Sequence, residues 1–382
     1  MKILFVGDIL VKENRYTLSN EIKELFDECD FRICNVEAPF IQEGADTPIK
    51  KAGPAIHQSA HAIELLKESK FNLASLANNH IMDYGSSALT NTLNIFQKAN
   101  IPTIGAGISF TEAYKPYIHE AGGQKIAFIT GSQAEFGVFK TEKDALGYAW
   151  INHPHINKLI EQTKKDADLL YVLPHAGLEN IPYPLPEWRS RYKEMIDAGA
   201  DCIIGGHPHI IQGHEIYNNK HIFYSLGNFF FDMKSTYPDE ANRGLIVISN
   251  TDNISDFRII PFIVEENEVK IDTSESRKRI LKDRSGILKQ DSLYLTEIDK
   301  IAEQQWQQIY KDYYLWYNKM DITKMGLKGI LRYILKRISK KEDIENNNII
   351  NETLLLHNIQ IETHRWIVER YLYNQNKKLN GF

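Results

Sequence analysis

Through the first two-thirds of the chain, short apolar runs alternate with stretches in which apolar residues recur every three or four positions. The runs at residues 2–6, 31–34, 71–76, 101–105, 125–130, 169–173 and 202–204 read as strands. The stretches at 21–26, 60–70, 88–98, 155–165 and 187–197 carry helical spacing. That order predicts βαβ units and a mainly parallel sheet. From about Ile210 the style changes: 210–217, 221–225, 245–249 and 257–264 read as strands joined by polar turns such as Asn218-Asn219. With no helix between them, they are expected to pair antiparallel. Residues 1–271 therefore form one α/β domain. Beyond Asp272 the composition turns to charge, Gln, Tyr and Trp at helical spacing, with long helices expected over 295–317 and 354–373 and a break at 346–348. Residues 272–382 read as a helical C-terminal region. Its aromatic stretch, 306–317, is either core or the lining of a glycan cleft, and core is favoured.

Composition narrows this picture. A chain of 382 residues, 43% hydrophobic and 25% charged, is ordinary globular material for two or three domains. The net charge of −5 supplies no global basic field, so nucleic acid is not expected as a partner. Three cysteines, Cys29, Cys34 and Cys202, are too few for a disulfide framework and read as small buried hydrophobes in a reducing compartment. The opening MKILFVGDIL reads as a core strand, because Asp8 ends the apolar run too early for a signal peptide. No apolar run reaches the ~18 residues of a membrane span. The expectation is a cytoplasmic protein. Residues 321–341 add a qualification, since Lys324, Lys328, Arg332, Lys336, Arg337, Lys340 and Lys341 flank an apolar stripe of Leu327, Ile330, Leu331, Ile334, Leu335 and Ile338. Such a basic amphipathic helix either packs on the main domain or lies on the inner, anionic face of a membrane. Packing is the reading preferred here.

Candidate chemistry is positional. Asp8 follows the first strand, Asn35 and Glu37 the second, Asn78, Asn79 and His80 the third, His175 another, and His207 and His209 the run ending at residue 204. In an open α/β sheet, ligands bind beyond the carboxyl ends of the strands, so these side chains are expected to converge. Each has a plain alternative as a cap, turn or surface residue; the coincidence at five strand ends favours a site. Carboxylate and amide oxygens with imidazoles, and no thiolate, suit a hard or borderline divalent ion. Such an ion polarises a phosphoryl oxygen and acidifies its bound water. Asp83, three residues after His80, is placed to orient that imidazole. His214 joins the site or its surroundings in one of two readings. His57, His61, His119, His153, His155, His221, His357 and His364 follow no strand-end pattern and are taken as structural.

Seven blocks then resemble the CapA (poly-γ-glutamate capsule synthesis) family in order and spacing: GDIL at 7–10, NVEAP at 35–39, SLANNHIMDYG at 75–85, IPTIGAG at 101–107, HAGLEN at 175–180, IDAGADCIIGGHPHIIQG at 196–213 and IFYSLGNFFFD at 222–232. That family resembles the calcineurin-like metallophosphoesterases. The resemblance implies an α/β/β/α four-layer sandwich, here with the added helical region. It implies that Asp8, Glu37, Asn79, His175, His207 and His209 bind one or two divalent ions (Mn, Zn or Fe). It makes His80 the catalytic group, assisted by Asp83, and sets Asn35, Asn78, Glu179, His214 and Asn228 toward substrate. Leu10 stands where the phosphoesterases place a further histidine ligand, and Glu37 where they place an aspartate.

The implied function is metal-dependent, phosphoesterase-like hydrolysis in the making or export of a capsular or cell-surface polymer. The partner would be an anionic polymer or a phosphorylated or lipid-linked glycan precursor. The rival reading is a non-catalytic assembly factor that binds anionic polymer or partner proteins. Ligase chemistry is disfavoured, because no nucleotide-binding loop is present in the sequence.

Overall fold

A computed structural model describes residues 1–233, 239–311, 314 and 354–380. Among them, two large sheets face each other. In the first, Lys2–Leu10 lies centrally and pairs in parallel with Phe31–Val36, which leads on to Leu73–Ser75 and Thr103–Ile104. On its other side Arg243–Asn250 runs antiparallel, followed by Asn253–Glu265 and Glu268–Ile271. The second sheet is ordered His214–Tyr217, Lys220–Phe223, Cys202–Ile204, Leu169–His175, Gln124–Ser132, Tyr117–Ala121. A three-stranded sheet of Ala106–Gly107, Gly147–Ala149 and Val138–Phe139 stands apart.

The layers follow from period-two alternation. In the strand Lys2–Leu10, Ile3 and Phe5 face the second sheet, where they join Phe128, Tyr171, Leu173 and Ile204 in one buried cluster. Leu4 and Val6 face the other way, onto Ile22, Leu25 and Phe26 of the helix Asn20–Asp27 and onto Leu66, Leu89 and Phe96 of further helices. The second sheet is covered on its outer side by His155–Asp166, which packs on Gln124–Ser132 and Leu169–His175, and by Pro186–Asp197 on Cys202–Ile204. The architecture is α/β/β/α, as expected. Each large apolar side chain in these clusters contributes roughly 1.5–3 kcal/mol. Polar pairs between the sheets are satisfied there: Tyr171 and Ser249 share a hydroxyl hydrogen bond of 2.6 Å, and Ser75 and Thr130 one of 2.9 Å.

The later strands differ from expectation. Arg243–Asn250, Asn253–Glu265 and Glu268–Ile271 do pair antiparallel, but they complete the first sheet. Lys220–Phe223 instead joins the second sheet, parallel to Cys202–Ile204 and antiparallel to His214–Tyr217. Asn228–Phe231, not anticipated as a strand, pairs in parallel with Lys2–Leu10 and aligns Asn228 with Asp8. The three cysteines are buried and unbridged.

The described chain divides into two compact units. The first holds residues 1–49 and 55–295. Its sheets end at Ile271, but the helix Glu275–Leu288 packs on His214–Tyr217, where His214 N–H donates to Ser285 Oγ at 2.9 Å. The second unit holds residues 50–54 and the remainder from Thr296. In it residues 296–305, the later part of the helix Asp291–Gln305, continue into a wider turn at Trp306–Tyr310, and Glu362–Asn380 forms the last helix. Trp306 and Tyr310 are buried, and Trp306 stacks on Tyr371 at 4.8 Å, so these two aromatics are core. The basic amphipathic stretch 321–341 and the break at 346–348 lie outside the described residues. No helix among the described residues is long and apolar enough to cross a membrane.

Close approach of the strand Lys2–Leu10 to the residue preceding Asn228–Phe231 fixes one glycine. A Cβ on Gly7 would stand 1.7 Å from the Gly227 carbonyl oxygen. Gly7→Ala is therefore expected to cost about 3 kcal/mol through forced backbone displacement, measured by urea unfolding.

Candidate metal centre

The strand ends meet as the alternation predicted. Asp8 is fully buried, accepts a hydrogen bond from Asn35 Nδ2 at 2.8 Å and another from the His207 backbone N–H at 3.2 Å. Its carboxylate lies 3.6 Å from His175 Nδ1 and 3.7 Å from His209 Nδ1. Glu37 lies 3.7 Å from His175 Nε2 and 3.8 Å from His209 Nε2. His207 Nδ1 stands 3.2 Å from His175 Nε2, and Asn79 Oδ1 is 3.2 Å from the same atom. Two ligand sets result, Glu37–His175–His207 and Asp8–Glu37–His209, each with donor atoms within 4.8 Å of one another. They share Glu37.

The electrostatics are those of a site built for a cation. Glu37 is wholly buried, and neither carboxylate oxygen has a hydrogen-bond partner among the described residues. Burial pushes its carboxyl well above the usual range; His209 opposes this and Asp8 adds to it. Burial lowers His175 against the pull of Asp8. For His209 burial also acts downward, but Glu37, Glu179 and Asp8 outweigh it and the net shift is upward. An ionised carboxylate without partners is strongly disfavoured in such a place, and a divalent ion removes that penalty. The residues therefore fit the metal that the strand-end pattern implied. The donors are oxygen and imidazole nitrogen, suited to one or two hard or borderline ions.

The surrounding polar groups hold these side chains. His80 Nδ1 is 2.7 Å from Asp83 Oδ2, which also accepts the Ile56 N–H at 2.9 Å. Asn78 is fully buried and spends its amide on Val36 O, Asn35 and the N–H groups of Ala38 and His80, so it shapes the turn and is closed to solvent. Asn228 Oδ1 lies 2.8 Å from His209 Nδ1 and orients that ring. Asn35 does the same for Asp8. Glu179 is exposed on the loop after His175, and its charge is felt at Glu37, His175 and His209. His214 is not brought to the cluster. It stacks on Phe223 at 4.4 Å, and its Nε2 lies 2.9 Å from His221 Nδ1. Leu10 is buried with Ala38, Ile56, Phe231 and Met233, in an apolar pocket with no place for a ligand.

Sequence reasoning overlooked Gln133 and Glu135. Gln133 Nε2 lies 3.1 Å from His207 Nε2 and donates to Glu135 Oε1 at 2.9 Å, while its Oε1 accepts the Gly177 N–H. Both follow the strand Gln124–Ser132, so the strand-end rule applied once more would have found them.

Residues 2–233 match the family described as bacterial capsule synthesis protein PGA_cap. The chain belongs to that family. It is 30% identical over 318 residues to the capsule biosynthesis protein CapA of Bacillus anthracis, covering 79% of this chain and 77% of that one. It is 32% identical over 240 residues to the PGA biosynthesis protein CapA of Bacillus subtilis, covering 60% and 62%. Among solved structures, a novel phosphatase of Mycoplasma pneumoniae is similar at 17% identity and a TM-score of 0.42, over 74% of this chain and 96% of that one. A 5'-nucleotidase precursor of Thermus thermophilus is similar at 12% identity and a TM-score of 0.41, over 75% and 58%.

Two expectations follow. Glu37→Gln removes the shared ligand of both sets. Mn²⁺ at a hundred times its Kd is expected to stabilise the unaltered protein by about 2.7 kcal/mol and the variant far less, as denaturant titration with and without metal will show. The second concerns His214, which burial and the neighbouring His221 push down to about 4. An unfolded histidine titrates near 6.5, so between these values the unfolded chain binds the proton more readily. The stability gained from neutral His214 is full above about pH 6.5 and is lost as pH falls toward 4. Relative to His214→Phe, which keeps the stack on Phe223, the unaltered protein is expected to lose stability over that range.

Proposed function

We propose that the protein is a metal-dependent hydrolase acting on a phosphoester of a capsular or other cell-surface polymer, or of its phosphorylated or lipid-linked precursor. The observation that carries this reading is Glu37: a buried carboxylate without a hydrogen-bond partner among the described residues, ringed by Asp8, His175, His207 and His209. Membership of a capsule synthesis family supports the substrate class. Asp8, Glu37, Asn79, His175, His207 and His209 would hold the ion, which when bound polarises a phosphoryl oxygen and lowers the pKa of water.

The chain's own contribution centres on His80. Asp83, at 2.7 Å, keeps a proton on Nδ1 and stabilises the imidazolium. The proton on Nε2 is then available to the leaving-group oxygen, and the Ile56 N–H held by Asp83 keeps that carboxylate from turning away. Gln133 and Asn228 fix the rings of His207 and His209. Three buried, unbridged cysteines support a reducing compartment, hence the cytoplasmic side of the membrane.

The second reading, a non-catalytic assembly factor that binds anionic polymer, is favoured by Leu10, whose apolar pocket leaves the site one ligand short. The two separate on His80→Ala. The hydrolase reading expects kcat on bis(p-nitrophenyl) phosphate to fall about 10²–10⁴-fold with metal content per chain unchanged. Absence of turnover by the unaltered protein with Mn²⁺, Zn²⁺ or Fe²⁺, together with polymer binding that survives His80→Ala, would establish the assembly role.

A further inference from the structure

Glu37 lies just past the strand Phe31–Val36, and among the described residues no hydrogen bond holds its carboxylate. Its position must come from the backbone. The next residue, Ala38, has φ +98°, a region that side-chain-bearing residues avoid. Such a conformation persists only where the surroundings impose it.

The Ala38 N–H is held by Asn78 Oδ1, and the carbonyls on either side of Ala38 are held by Gln58, which is 2% exposed. Its Nε2 donates to Ile9 O and to Glu37 O, both at 2.9 Å, and its Oε1 accepts the Val11 N–H at 2.9 Å. Its own backbone N–H donates to Pro39 O at 2.8 Å, and Glu37 N–H donates to Ile9 O at 3.0 Å. Gln58 thus ties the segment that follows Asp8 to the segment that carries Glu37, with its amide on Glu37 and its own backbone N–H on Pro39, either side of the strained Ala38. Two carbonyls and one N–H use both donors and the acceptor of a primary amide and fix which way it points. A glutamate cannot donate to both carbonyls, and an asparagine is one methylene short.

We propose that Gln58 is the positioning residue of the metal centre, acting on Glu37 through its carbonyl. The inference rests on the metal reading above. Without the amide, the Glu37 carbonyl is released, and the shared carboxylate loses its place between the two ligand sets. The loss falls on metal affinity beyond any loss of stability.

The test compares Gln58→Met, which keeps length and burial, and Gln58→Asn, which keeps an amide that cannot span the three partners. The control is Tyr171→Phe, which removes the buried hydrogen bond to Ser249 in the layer between the sheets. Mn²⁺ affinity is read by calorimetric titration, and thermal melting of the metal-free proteins gives stability. Both Gln58 variants are expected to bind Mn²⁺ about 10–100-fold more weakly, while Tyr171→Phe melts earlier with unchanged affinity. Gln58→Asn keeps the test open should Gln58→Met fail to fold. Unaltered Mn²⁺ affinity in the Gln58 variants overturns this inference alone. Failure of the unaltered chain to bind Mn²⁺ overturns the metal reading and this inference with it.

Discussion

Burying a carboxylate among apolar strands is among the least favourable things a fold does, and here the whole strand-end region is organised around one. Glu37 is fully enclosed, lacks any hydrogen-bond partner among the described residues, and stands within 4 Å of two histidine rings. A charge so placed either takes up a proton or is compensated by a cation. Asp8, also fully buried, shows the contrast: it is held by Asn35 and by the His207 N–H, so its orientation is set before anything binds. One carboxylate is thus fixed by side-chain and backbone donors, while the other is left bare and fixed only through its main chain. A bare, pre-positioned oxygen pair shared by two ligand sets is what a cation-binding centre requires.

Backbone strain accompanies this arrangement. His207 has φ +95° and His209 φ +59°, with Pro208 between them. Side-chain-bearing residues seldom adopt that region, and each such position is held at a cost of order 1–3 kcal/mol. The compensation lies in the layers beneath: apolar clusters on both faces of the first sheet supply stability that the site can spend. Rigid strands deliver the ligands, and strained turns aim them.

The same geometry gives the centre two contrasting sides. Leu10 points into a pocket of Ala38, Ile56, Phe231 and Met233, and the ring of His209 packs on Phe231 at 4.6 Å. Packing fills that corner of the site. Gln133 and Glu135 extend the polar network on the opposite side, through His207. The centre is thus apolar around Leu10 and polar around His207.

Much of this was legible in the sequence, for identifiable reasons. Period-two and period-3.6 patterns located the strands and helices, because one face of each must be buried whatever the final topology. Ligand-type residues immediately after apolar runs located Asp8, Glu37, Asn79, His175, His207 and His209, because parallel strands bring their carboxyl ends to one edge. What the pattern did not carry was partnership. Strand alternation is the same in either sheet, so nothing local assigned Lys220–Phe223 to the second sheet and Arg243–Asn250 to the first. His214 was close to His209 in sequence, yet its strand carries it to His221 and Phe223. Gln58 sits in a stretch with little periodicity, and only the folded chain shows that its amide reaches Ile9, Val11 and Glu37. Residue type and local period are properties of the chain, so the sequence determined which side chains could bind a metal. Which of them meet, and what holds them there, depends on contacts across some two hundred residues, and only the tertiary structure decided that.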